Sequence, residues 1–513
     1  MRQLGAVPAA AGEVDFRVWA PDVSEVTVRG QGDRGRNRGQ TLLAERDGFA
    51  ARRLPFRPGE DYSYAINGVR RRDRSVTTDP CSRWQPEGLR GPARVLDTSS
   101  FAWSAEPVTV PLEELVIYEL HVGTFSAAGT FDGVIPRLPE LAALGITAIE
   151  LMPVATFPGE RGWGYDGVLT YAPHRAYGGP DRLARLVDTA HAQGLAVLLD
   201  VVYNHVGPGS ELLAAFGPYF TDRHHTFWGD AIDYSHRGVR EWAIQNAELW
   251  VRDYEIDGLR LDATHAIFDD SETHIMRELA DRVHAYRPDA LVIAEMELGN
   301  RDPIERWGHD AQWDDDFHHA LHVLLTGERD GYYEPYGKVA DLARAFEAKP
   351  AARLVVCAQN HDQVGNRSFG DRLPPETQRL AAACVLFSPH IPLLFMGEEY
   401  GERAPFQFFT DHDDPAIAKA TREGRHREFA KFAGFAREDV PDPQAPETFE
   451  RSRLHPGEGD DDLRAWYADL IRLRRDLPPE VETEVDERRR TLRVRRGGTE
   501  LVADFDRLTA EIV

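Results

Sequence analysis

The sequence predicts an α/β fold, a (β/α)8 TIM barrel over residues 110–480 with an N-terminal β-sandwich (1–105) and a short C-terminal β-module (481–513). Three observations lead there. The chain has 513 residues, which at roughly 100–200 residues per domain means about three domains, or one large barrel with appendages. Its first hundred residues alternate with a period of two. Beyond residue 112, apolar runs alternate with helical stretches, and that many β-then-α units over roughly 350 residues favour a closed barrel over an open doubly wound sheet.

The N-terminal alternation is carried by Val14–Trp19, Glu25–Arg29 and Asp61–Ile66, the last before an expected turn at Asn67-Gly68. Short alternating runs with Gly and Pro turns read as a sandwich. Leu115–Leu120 is the first candidate barrel strand. Ile135–Leu144 has helical spacing and stops at Gly145. TAIELMP (147–153) is the second strand, Asp181–Gln193 a helix closed by Gly194, and LAVLLDVV (195–202) the third strand. Val239–Tyr254 is helical, GLRLD (258–262) the fourth strand, Ser271–Tyr286 a helix and LVIAE (291–295) the fifth strand. Leu354–Ala358 and Pro392–Met396 are late strands around a helix at Thr377–Phe387. Asp461–Leu477 is an amphipathic helix that closes the barrel, and the last strands are Leu492–Val494 and Leu501–Ala503.

Composition removes several functions. A net charge of −25 opposes nucleic acid and anionic membrane as partners, because both need a basic face. The Arg-rich stretches Arg29–Arg38, Arg70–Arg74 and Glu487–Arg496 read as solvated loops or strand edges. Three cysteines, Cys81, Cys357 and Cys384, have no framework spacing and suit a reducing compartment. No signal-peptide core and no membrane-length apolar run is present, so a cytoplasmic protein is expected. No GxGxxG follows the first strand and there is no P-loop.

The informative feature is at the strand ends. LAVLLD runs into Asn204-His205, GLRLD into Ala263-Thr264-His265, LVIAE ends on Glu295, and LVVCAQ runs into Asn360-His361-Asp362. In a barrel of this kind, C-terminal strand ends line one pocket, so Asp200, Asp262, Glu295 and Asp362 converge. A lone Asp there is usually a helix cap, but four acids beside His, Arg and Asn repel one another and point to chemistry. Retaining cleavage of a glycosidic bond needs two carboxyls about 5–5.5 Å apart, one ionised and one protonated. Arg260 lies two residues before Asp262 and therefore on its face of the strand, which favours an ionised nucleophile. Glu295 ends an apolar strand, where burial raises a carboxyl pKa and suits a general acid. Asp362 is placed to hold sugar hydroxyls and oppose oxocarbenium charge.

DVVYNH (200–205), GLRLDATH (258–265), the IAE ending at Glu295 and NHD (360–362), in that order, resemble the four signature regions of the α-amylase family, glycoside hydrolase family thirteen. FRVWAP (16–21) is similar to the N-terminal sandwich of branching enzymes and isoamylases, which implies a carbohydrate-binding-like sandwich. The resemblance implies Asp262 as nucleophile, Glu295 as acid/base and Asp362 as transition-state stabiliser, with Tyr165, His205, Arg260, His265 and His361 around the reacting sugar. A narrower resemblance, to the trehalose-releasing hydrolases of that family, lies in WDDDFHHALH (313–322), LLTGERDGYY (324–333), FWGDAI (227–232), QNHDQVGNR (359–367) and MGEEYGERAPFQFFTDH (396–412). It implies cleavage of the α-1,4 bond next to the trehalose end of maltooligosyl trehalose, and a maltooligosyl trehalose synthase as pathway partner. Trp228, Asp316, His318, His319, Gln363, Asn366 and Phe408 are then candidates for substrate contact. The brief C-terminal module departs from the family's usual terminal sandwich.

Other readings are weaker. His318, His319 and His322 with Asp314–Asp316 invite a metal, but there is no HExxH and a two-carboxylate mechanism needs none; no metal or cofactor is expected. Cys357 sits in an apolar strand, as a core residue does. A glycogen-branching or debranching enzyme would share the same four regions and differ on the leaving-group side. A non-catalytic glucan-binding barrel should have lost a central carboxylate, and none is missing.

Overall fold

The computed structural model of the chain describes residues 2–10, 12–31, 39–68, 75–226, 228–429 and 440–513. Arg70–Arg74, Phe227 and most of the Arg29–Arg38 stretch lie outside them.

Eight parallel strands close into a barrel, in chain order: β1 (Ile117–Leu120), β2 (Ala148–Leu151), β3 (Ala196–Val201), β4 (Gly258–Leu261), β5 (Leu291–Ala294), β6 (Ala311–Trp313), β7 (Leu354–Cys357) and β8 (Ile391–Phe395). β8 pairs back onto β1, with Leu393 opposite Ile117. Strands enclosed on both faces need no polar alternation, which is why they read as continuous apolar runs. Leu115, Ile117, Ala148, Ala196, Leu198, Ile293, Val355, Ile391 and Leu393 fill the barrel's interior as a separate apolar cluster. Helices such as Pro180–Ala192, Arg237–Asp253 and Ile275–Tyr286 cover the outside. Gly145, at φ 104°, ends the Leu138–Leu144 helix in a left-handed turn that a side chain would strain.

Seven of the eight barrel strands stand out in the sequence. β6 does not, because three residues followed by Asp314–Asp316 make too short an apolar run to register. Its helix, Asp315–Thr326, is likewise found only in three dimensions.

Two antiparallel sheets precede the barrel, one of four strands and one of five. Phe16 of the first meets Tyr62 of the second edge-on at 5.0 Å. Asn67-Gly68 is not the expected turn. Both residues extend the strand Asp61–Gly68, where Asn67 pairs with Glu25 and Gly68 with Val23. At the C-terminus, four strands between Glu482 and Ile512 form one antiparallel sheet. Arg496, expected at a solvated edge, is buried instead. It donates to the backbone oxygens of Ser388 (2.8 Å) and Phe387 (3.1 Å) and so ties this sheet to the barrel. Cys81, Cys357 and Cys384 are buried free thiols. Among the described residues, no helix is long and apolar enough to cross a membrane.

Candidate active site

The C-terminal ends of the strands are polar where the interior below is apolar. Asp200 on β3 sits opposite Arg260 on β4 in the strand register, and Arg260 has no solvent exposure. Its guanidinium is the hub of the site. Nη1 donates to Asp200 Oδ2 at 2.7 Å and to Asp262 Oδ1 at 3.0 Å, and Nη2 donates to Glu295 Oε2 at 2.7 Å. The Trp313 ring, contributed by β6, lies 4.2 Å from the guanidinium carbon. One rigid planar fork therefore holds the Asp262 and Glu295 carboxyls side by side.

Asp262 takes a second donor, Asn204 Nδ2, at 2.6 Å, and the same nitrogen bonds the Asp262 backbone oxygen at 2.8 Å. Ala263 follows in a left-handed conformation at φ 39°, a strain of about 1–3 kcal/mol that non-glycine residues tolerate chiefly at functional sites. That turn aims the Ala263 N–H at Glu295 Oε2, 2.8 Å away.

Burial pushes the Glu295 carboxyl up to about 8, opposed by Arg260 and reinforced by Asp262 and Asp362. Asp362 goes the other way. Burial resists its ionisation, but the His361 imidazolium beside it, with Arg260 and Asn366 adding, lowers it to about 2. His361 spans Glu119 Oε1 (2.6 Å, from Nδ1) and Asp362 Oδ2 (3.2 Å, from Nε2), so both ring nitrogens carry protons and two carboxylates outweigh the burial that disfavours the charge. Burial also raises Asp200 to about 7. Neighbouring carboxyls driven apart in this way can serve as acid and anion at one pH. A proton donor is active below its pKa and spent above it. Turnover is thus expected to fall about tenfold per pH unit above pH ~8 as Glu295 ionises, and a kcat–pH profile measures this.

The predicted binding residues divide into two groups. Tyr165 donates to Asp200 Oδ2 at 2.6 Å and stacks on His361 with centroids 5.0 Å apart. His205 bonds the Tyr165 backbone oxygen at 3.0 Å and the Asn204 side chain, and the Trp228 indole stacks on it at 4.1 Å. Asn366 donates to Asp362 Oδ1 at 3.1 Å. His265 is exposed on the turn after Ala263. Tyr165, His205 and Asn366 are thus bonded to the carboxyls directly or through Asn204. Gln363 is buried beside Asp362, its backbone N–H on Asn360 Oδ1 at 2.8 Å. Phe408 packs edge-on against Trp163 at 5.2 Å, with Arg425 over its ring.

The second group is farther from the carboxyls in its bonding. His318 is buried, and its nitrogens are taken up by the Ala358 oxygen (2.9 Å) and the Tyr333 hydroxyl (3.0 Å). His319 lies among the rings of Tyr332, Tyr333 and Tyr336, and Tyr336 donates to Asp316. His318 also lines a cavity of about 410 Å³ with His322, Gln363 and Arg367, and Asp316 and His319 face the tyrosine cluster.

Sequence reasoning passed over Glu119 and Glu150. Both are buried inside the barrel, on β1 and β2, opposite one another in register. Each was visible as the single charge in an apolar run, IYEL and AIEL. Glu119 accepts from the His361 backbone N–H at 2.8 Å and fixes its ring.

The family described as Alpha amylase, catalytic domain, matches residues 97–217 and 218–465. A malto-oligosyltrehalose trehalohydrolase of Saccharolobus solfataricus is 42% identical over 500 residues, 90% of this chain and 85% of that protein. One of Deinococcus radiodurans is 41% identical, over 93% of this chain and 83% of that protein. A 1,4-alpha-glucan branching enzyme of Corynebacterium glutamicum is more distant, 28% identical over 78% of this chain and 60% of that protein. Among solved structures, a Salmonella typhimurium chain described as an alpha amylase superposes with TM-score 0.87 at 37% identity, covering 98% of this chain and 93% of that one.

Proposed function

The chain belongs to the α-amylase family, and from that membership we propose that it hydrolyses the α-1,4-glucosidic bond next to the trehalose end of maltooligosyl trehalose, with retention, releasing trehalose. The observation that carries the chemistry is the Arg260 fork, which sets a proton-bearing Glu295 beside Asp262. In the proposed first step, an Asp262 oxygen attacks the anomeric carbon. The bond to the leaving oxygen breaks, and Glu295 gives that oxygen its proton. The ionised Asp362 faces the positive charge that develops on the ring. In the second step, Glu295 takes a proton from water, the water oxygen bonds the same carbon, and Asp262 leaves. Two inversions restore the α configuration.

Tyr165, His205, Arg260 and His361 shape the site for the sugar whose bond breaks. Trp228, Gln363, Asn366, Phe408, His265, Asp316, His318 and His319 are the proposed outer contacts. The trehalose preference rests on similarity of about 40% to trehalohydrolases across most of the chain, well above the match to a branching enzyme. This reading also places the protein in a reducing cytoplasm, where its thiols stay free, working after a synthase that builds the trehalose end.

The deciding experiment incubates the protein with maltooligosyl trehalose and, separately, with plain maltooligosaccharide. Free trehalose is the expected product, and proton NMR of the other fragment should show an α-anomeric end first. New α-1,6 branches without trehalose would overturn the substrate assignment. An initial β-anomer would overturn the two-step route.

A further inference from the structure

We propose that Phe268 and His224, a stacked ring pair joining the segment after β4 to the hairpin that carries Trp228, form the wall that the bent trehalose leaving group packs against. The inference rests on the trehalose-releasing reading above and names the side chains that select that leaving group.

The leaving oxygen must come within hydrogen-bond reach of Glu295. Besides Arg260, the turn after β4 is what bonds Glu295. Ala263 donates to its carboxylate at 2.8 Å, and the Thr264 N–H donates to its backbone oxygen at 3.0 Å. The turn is latched to the proton donor through both its carboxylate and its backbone, and the leaving sugar, on this proposal, lies beside it.

Phe268 is the outward residue of that same segment. Ile267 before it is buried in the main core. Asp269 after it accepts from Arg240 at 2.6 Å and from the Ile275 N–H at 2.6 Å. With both neighbours tied inward, the Phe268 ring is held outward, 38% exposed. It is not loose, because His224 lies flat against it, with centroids 4.7 Å apart and planes within 8°.

His224 belongs to the hairpin Phe220–Thr226/Gly229–Ile232, which also carries Trp228. That indole stacks on His205, next to Asn204 and hence to Asp262. The hairpin therefore reaches the loops after β3 and β4 with two flat stacks, one on His205 beside the nucleophile's partner and one on Phe268 in the segment that follows the Ala263 bonded to the proton donor. A preorganised aromatic face loses little side-chain freedom when an apolar sugar face settles on it. The α,α-1,1 linkage folds the second glucose across the first, and a straight α-1,4 chain presents a different outline to such a wall.

The test measures kcat/KM of the wild type, Phe268→Ala, Phe268→Tyr and His224→Ala on maltooligosyl trehalose and on maltooligosaccharide of equal length. In Phe268→Ala the ratio of the two constants should fall about tenfold, mainly through KM on the trehalose-bearing substrate. Phe268→Tyr should restore it, and His224→Ala should lower it part of the way. An unchanged ratio, whether both constants fall together or neither falls, overturns the proposal. If Phe268→Ala fails to fold, the same ratio is read from Phe268→Leu, which keeps bulk and loses the ring. Failure of the wild type to release trehalose would instead sink the functional reading itself.

Discussion

Asp262→Asn is expected to lower kcat by on the order of 10⁴–10⁶-fold, the scale seen when a nucleophile is removed from an otherwise complete site, without loss of fold. The amide keeps the shape and an oxygen acceptor for Arg260 or Asn204. It also removes one acid from a site where Glu119, Glu150, Asp200, Asp262, Glu295 and Asp362 crowd around Arg260 and the His361 imidazolium. Thermal stability should hold or rise, as it does when strained active-site charge is relieved. Glu295→Gln should lose about 10²–10⁴-fold, the usual contribution of a positioned proton donor, and should lose the alkaline limb near pH 8 as well. On a glucoside whose leaving group needs no proton, the first step should recover and the second should not. Circular dichroism with a pre-steady-state burst assay would check both variants. Turnover like that of the wild type in a folded Asp262→Asn protein would overturn the assignment.

Arg260→Ala is expected to be the most damaging single change to the fold among the site residues, by about 3–5 kcal/mol, because it strands buried acids without their counter-charge. Arg260 has no exposure and bonds three carboxyls from three different strand ends. Arg260→Lys separates charge from geometry. An ammonium keeps the positive charge but lacks the planar fork that reaches Asp262 and Glu295 together. It should fold and lose about 10²–10³-fold in kcat/KM, the scale of displaced reacting groups. Its alkaline limb should move upward, since Arg260 is the main influence holding the Glu295 pKa down against burial. Denaturant melts and pH–rate profiles give the two readouts. An Arg260→Lys protein with unchanged kcat/KM would remove the fork from the mechanism.

The sequence carried the barrel because its strands are buried on both faces. LAVLLD, GLRLD and LVIAE show as apolar runs whatever surrounds them. It carried the three central carboxylates because each closes such a run, where a closed barrel puts its pocket. β6 failed to show because three residues are too few for any periodicity. Asn67-Gly68 misled because a dipeptide with turn preference still joins a ladder when a partner strand supplies the hydrogen bonds.

What the sequence settled by itself was local: which residue types stand at strand ends, and Arg260 on the same strand face as Asp262. The tertiary structure alone decided what those groups meet. His318 spends its nitrogens on Ala358 and Tyr333, Glu119 accepts the Nδ1 proton of His361 and holds the ring charged, and Arg496 is buried against Ser388. The physical reason is that protonation state, hydrogen-bond partnership and burial depend on neighbours brought in from distant parts of the chain. Spacing along the sequence fixes only the face from which a side chain departs.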